Sequence, residues 1–156
     1  MATNPQPKVF WMNTAYSLIG TDETPGPKNT AAILKWAKVI GQTDYTADSI
    51  PWCGLFVAFV MAQNGIVPVS IPTRASAWSK FGNRLDAPAF GCIMTFTRSG
   101  GGHVGFGVGQ NKLSYYLLGG NQSDSVSITK IAKTRLTSIR WPTGMEKFLV
   151  KGLPYL

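Results

Sequence analysis

In "FGCIMTFTRSGGGHVGFGVG", residues 90–109, the period of the chain changes. Val104, Phe106 and Val108 recur at every second position, which is the period of a strand. The tight turn "SGGG" separates this run from "FGCIMTFT", which is itself rich in β-formers. Downstream, "LSYYLLGG" (113–120), "SVSITKI" (125–131) and "LTSIRWP" (136–142) repeat the pattern, with Gly, Asn or Ser between them. Five short, closely spaced strands predict an antiparallel sheet, with room for a sixth.

Upstream of Pro88 the spacing is helical. In "KVFWMNTAYSLIG" (8–20), Val9, Met12, Tyr16 and Ile19 share a face and Gly20 is the stop. In "NTAAILKWAKVIG" (29–41), Asn29 or Thr30 caps a second helix, Ile33, Trp36 and Ile40 share its face, and Gly41 ends it. "TDETPGPKNT" (21–30) and "QTDYTADSI" (42–50) read as loops. A third helix is expected from about Pro51 to Asn64, with Pro51 at its first position and Gly65 at its end. Helices first and strands second make an α+β domain, helices packed on a five- to six-stranded antiparallel sheet. The final "KGLPYL" either docks on the domain or frays.

The 156 residues are expected to form one domain, with a core over about 9–142 and a tail from 143 to 156. A formal net charge of +8 favours polyanionic surfaces, such as nucleic acid, lipid head groups or a cell wall, without choosing among them. No arginine-rich helix or nucleic-acid motif is present, so no nucleic-acid partner is expected. The longest apolar run, Leu55 to Ala62, is too short to span a membrane. The N-terminus lacks the pattern of a signal peptide, so synthesis in a cytoplasm is expected. Two cysteines and one histidine are too few ligands for a structural zinc site, and no metal or other cofactor is expected.

Chemistry concentrates at Cys53 and His103. A cysteine in the first turn of a helix faces unpaired N–H groups and the positive end of the dipole. That position predicts a thiol pKa below the free value of about 8.5. The alternative is that Cys53 is a small buried hydrophobe. In "HVGFGVG", His103 shares a face with Gly105, Gly107 and Gly109, which have no side chains, so a helix end or a substrate can approach. A histidine there is the natural base for a thiol. Such a pair needs a third group to orient the imidazole. Asn121 and Asp124 are the candidates, with Gln122 behind them and ordinary turn chemistry as the alternative. Trp52, Trp78 and Gln122 are the candidate substrate contacts, although a tryptophan more often belongs to the core. Gly100, Gly102 and Gly105 match G-x-G-x-x-G, but a strand follows them where a dinucleotide site needs a helix.

"TPGPKNTAAILKW", "PWCGLFVAFVMAQNGI", "GHVGFGVG", "LLGGNQSDSVSI" and "RWP", in this order, resemble a phage-associated group of papain-like peptidoglycan hydrolases in the CHAP and NlpC-type clan. The likeness covers roughly residues 9–142. It implies a papain-like fold, Cys53 as nucleophile, His103 as general base and Asn121 as third polar residue. It implies a bacterial peptidoglycan substrate, cut as an N-acetylmuramoyl-L-alanine amidase or as an endopeptidase. It also implies a lysin that reaches the wall from the host cytoplasm through a separate pore or delivery system; many relatives carry a separate wall-binding module, for which this chain is expected to have no room, and a monomer is expected. Where the group commonly has Gly-Asp opening the first strand, this chain has Gly91-Cys92. The alternatives are an acyltransferase or effector toxin on the same scaffold, and an inert wall-binding module.

Overall fold

The computed structural model describes residues 9–24, 30–42, 45, 51–99 and 101–156. Three α-helices, α1 (Trp11–Ser17), α2 (Ala31–Val39) and α3 (Cys53–Gln63), precede the strands. These are β1 (Asn83–Arg84), β2 (Ile93–Arg98), β3 (Gly101–Gln110), β4 (Ser114–Gln122), β5 (Ser125–Ala132) and β6 (Leu136–Trp141). They form a six-stranded sheet in the order β1-β6-β2-β3-β4-β5, every pairing antiparallel. The α+β class is as the change of period implies. No helix among the described residues is long and apolar enough to cross a membrane.

The centre of the molecule is α3. Its sequence CGLFVAFVMAQ is apolar on every side, so it is stable only where every side is covered. It packs on α1 and α2 on one flank and on β3 and β4 on the other. Phe56 meets Phe106 of β3 edge to face, with ring centroids 6.0 Å apart. Cys53 is the first helical residue and Trp52 its N-cap, so Pro51 stands one position before the cap rather than inside the helix. At the far end Gly65 takes φ +73°, and Ile66 and Gly65 donate back to Met61 and Ala62. Gly41 closes α2 in the same way, with φ +79° and bonds from Gln42 to Ala37 and from Gly41 to Lys38. Both are Schellman closures, which only a residue at ease with positive φ makes cheaply.

α1 departs from its sequence pattern. Its buried face is Trp11, Met12 and Ala15, while Tyr16 and Ile19 are exposed. The helix ends at Ser17, and Trp11 sets its orientation. The indole donates to the Gly91 carbonyl at 3.0 Å and packs against Trp141. The glycine face of β3 is also occupied differently from expectation. A side chain at Gly105 would strike Leu117, one at Gly107 would strike Met94 and Cys92, and one at Gly109 would strike Leu156. Neighbouring strands and the C-terminal tail close this face, so neither a helix nor a substrate can reach it. The tail docks: Leu153 is buried, Leu156 donates to Gln110 and Tyr155 bridges the same residue.

Candidate active site

Cys53 and His103 come from α3 and β3, the two elements at the centre of the fold. The Cys53 sulfur receives the backbone N–H of Val104, the residue after His103, together with the N–H groups of Cys53 and Gly54. These donors and the nearby Arg98 guanidinium favour a thiolate. Burial opposes them and is larger, because only 3% of Cys53 is exposed. The thiol therefore lies above its ordinary pKa, not below it as a helix N-terminus alone would give.

Gln122 determines the state of the imidazole. Its side-chain nitrogen donates to two backbone carbonyls, Ser127 at 2.6 Å and Leu117 at 3.2 Å. That fixes the amide, so its oxygen faces His103 Nε2 at 2.9 Å. An oxygen there accepts, so Nε2 carries the proton. On the other side Arg98 Nη1 lies 2.9 Å from Nδ1. A guanidinium only donates, so Nδ1 holds the lone pair and is the basic nitrogen. In this structure Nδ1 thus accepts from Arg98 rather than from the thiol.

His103 is buried, and its pKa falls to about 4. Burial is the main cause, and the positive charges of Arg98 and Arg135 add to it. The bond to Gln122 opposes the fall. The resting pair is a neutral thiol and a neutral imidazole. This has a consequence for stability. An unfolded chain takes up a proton on His103 near its ordinary 6.5, while the folded chain refuses it until about 4. The stabilisation is whole above 6.5 and drains as pH falls toward 4. Each pH unit of that interval costs about 1.4 kcal/mol, or about 3 kcal/mol in all. Urea unfolding at pH 7 and pH 4.5 measures it. His103→Gln is expected to lose less stability over that interval than wild type, and an equal loss would place the acid sensitivity elsewhere.

The other sequence-derived site residues fall as follows. Gln122 holds the ring, and Asn121 does not. The register of β4 on β5 slips between Gly119 and Gln122, where Gly119 faces Ser127 and Gln122 faces Ser125. One extra residue in β4 makes a bulge, and Asn121 there takes φ 57°. The extra residue reverses the alternation, so Gln122 lies over Gly119 on the face that Asn121 would otherwise share. Ser123 and Asp124, with φ 52° and 59°, make the two-residue hairpin turn, so Asp124 has the turn role. Trp52 and Trp78 are wholly buried and offer no surface to a substrate. Trp52 donates to Glu23 and Trp78 to the Pro72 carbonyl, both at 3.0 Å. Gln122 is 5% exposed, so it is an internal support and not a substrate contact.

A cleft opens over Cys53, lined by Pro51, Arg74, Ser76, Arg98 and Gly102 among others. It adjoins a second, which reaches His103 past Ser79, Thr95 and Thr137. Arg98 and Arg74 are functional candidates that the sequence reading passes over. For Arg98 a signal existed. The hairpin pairs Arg98 with Gly101 and Phe96 with His103, so Arg98 is the diagonal same-face neighbour of His103. Arg74 lies in an irregular segment and gave no such signal. No protein-family model matches the chain, and none of the curated proteins matches it.

Proposed function

We propose that the chain is a papain-like thiol hydrolase that cuts an amide bond of bacterial cell-wall peptide, with Cys53 as nucleophile, His103 as general base and Gln122 as the residue that holds the base. The observation that carries this reading is the buried His103–Gln122 pair on a strand whose next residue, Val104, turns its N–H to the helix-terminal thiol of Cys53. A buried imidazole with one fixed tautomer, its lone pair on Nδ1, is more than a core contact needs. The wall-peptide substrate comes from the resemblance in the sequence. The net charge of +8 suits retention on an anionic wall.

In this reading the substrate enters the cleft over Cys53 and Arg98 leaves Nδ1. Nδ1 takes the thiol proton as the sulfur attacks the carbonyl carbon, forming an S–C bond. The carbonyl oxygen gains the negative charge and is met by the N–H groups at the start of α3, which no helical carbonyl takes. Imidazolium Nδ1–H then protonates the departing nitrogen, the C–N bond breaks and an amine leaves. Water attacks the thioester carbon while Nδ1 takes its proton, the C–S bond breaks, and Nδ1–H returns the proton to the departing sulfur, which leaves the acid, the free thiol and the neutral imidazole. Nε2–H stays on Gln122 throughout, so the ring does not rotate between its two proton transfers.

Digestion of purified peptidoglycan, with soluble fragments read by mass spectrometry, tests the reading. Wild type is expected to release fragments whose masses identify the bond. Cys53→Ala is expected to lose roughly a thousandfold or more of that activity. No release by wild type, or equal release by both proteins, defeats it.

A further inference from the structure

We infer that Arg74 and Arg98 form a carboxylate-reading subsite beside Cys53, and that an arriving carboxylate draws Arg98 away from His103. Arg98 is half-buried at the end of β2, and Arg74 is exposed in the segment before Ala75. Both line the cleft that holds the thiol. No acidic residue lines that cleft among the described residues. The ion pair found among them, Arg84 with Asp86, lies elsewhere. Two arginines thus line one cleft with no acidic residue beside them among the described residues, and one of them is bonded to a neutral ring nitrogen. A partly buried cation of this kind is costly until an anion meets it. Guanidinium groups suit planar carboxylates through paired N–H bonds.

The contact of Arg98 links recognition to reaction. While Arg98 Nη1 occupies Nδ1, the base has no free lone pair for the thiol. Its positive charge also keeps the ring from protonating. A carboxylate that takes Arg98 removes both obstacles together. The site therefore selects an amide bond flanked by a free carboxylate, and the base is released only by a substrate that carries one. This link to bond cleavage rests on the hydrolase reading above, whereas the carboxylate subsite itself does not.

The test uses the full chain with Cys53→Ala and a synthetic stem tetrapeptide whose C-terminus is blocked as an amide. One version has a free α-carboxylate on its second residue, and the other has a carboxamide there. Affinities are read by NMR titration, and turnover of both peptides is measured with intact Cys53. The carboxylate peptide is expected to bind about tenfold or more tightly, the worth of a charge-assisted pair. Arg98→Gln and Arg74→Gln are each expected to reduce that preference, with Arg98→Lys retaining part of it. Arg74 is exposed, so its variant gives a reading without a folding cost. Equal affinity for the two peptides, no binding of either, or a preference untouched by both glutamine variants overturns the subsite. A carboxylate preference that survives while wild type cuts neither peptide supports the subsite and defeats the hydrolase reading. Equal cleavage of both peptides without a binding preference does the reverse.

Discussion

Gln122→Leu is expected to lower kcat on wall peptide by roughly a hundred- to ten-thousandfold while leaving KM little changed. Gln122 touches no substrate, so its loss acts through His103. Without the amide oxygen nothing keeps the proton on Nε2 once Arg98 has left Nδ1, and the wrong tautomer then presents an N–H to the thiol. The same substitution strips donors from the Leu117 and Ser127 carbonyls. Each buried group left without a partner costs about 1–3 kcal/mol, so the variant is also expected to unfold earlier. Gln122→Glu separates the two effects. A carboxylate accepts from Nε2–H but has no N–H for the two carbonyls, and its charge lifts the His103 pKa from about 4. Since His103 is the only histidine, its ring resonances report that pKa directly in an NMR pH titration. A merely structural Gln122 would lower stability without moving the acid limb of the pH–rate profile. A Gln122→Leu enzyme that turns over at the wild-type rate removes Gln122 from the site.

The alternation of Val104 and Phe106 is a local property, and it was legible because β3 pairs with β2 in unbroken register there, its register on β4 slipping only between Gly107 and Gly109. Helix ends were legible for a similar reason. Gly41 and Gly65 occupy positions of positive φ, and no other residue type does so at the same cost. That α3 and β3, which carry Cys53 and His103, pack on each other could be read because each of the two residues stands near an element terminus with a chemical signature of its own. The partner of the imidazole could not. Asn121 and Gln122 are adjacent, and only the bulge decides which of them faces the ring. A bulge adds one residue to one strand and leaves no mark in hydrophobic period, so every residue beyond it changes face.

The thiol pKa illustrates a different gap. Position at a helix N-terminus is readable from sequence, and it lowers a pKa. Burial at 3% exposure depends on how β3 and the loop at Pro72 close on the start of α3, with Val104 at the sulfur and Pro72 against Gly54, which meet only in three dimensions. The larger of the two effects was the tertiary one. The tryptophans follow the same logic. An indole suits either a groove or a core, and the choice here was made by Glu23 and Pro72, 29 and 6 residues away in the chain.

Gly54→Ala is expected to destabilise the protein by about 3 kcal/mol, although helix propensity alone favours alanine by about 1 kcal/mol. A Cβ on Gly54 would lie 1.9 Å from the Pro72 carbonyl oxygen and 3.3 Å from Trp78 Nε1. That oxygen cannot retreat easily, because the Trp78 indole donates to it at 3.0 Å and Trp78 is itself wholly buried. Either α3 shifts away from the loop, or the loop is pushed outward and its indole bond is lost. The first moves the Cys53 sulfur from the Val104 N–H, and the second moves Arg74 from the cleft. Thermal unfolding checks this, with a fall in Tm of roughly 6–12 °C expected for a chain of this length. Gly65→Ala is the control. Its Cβ would meet nothing within 4 Å, so it carries only the cost of positive φ, about 1–2 kcal/mol. If Gly54→Ala melts no earlier than Gly65→Ala, the Pro72 loop yields, and the close packing of that loop on the start of α3 is not what holds Cys53 in place.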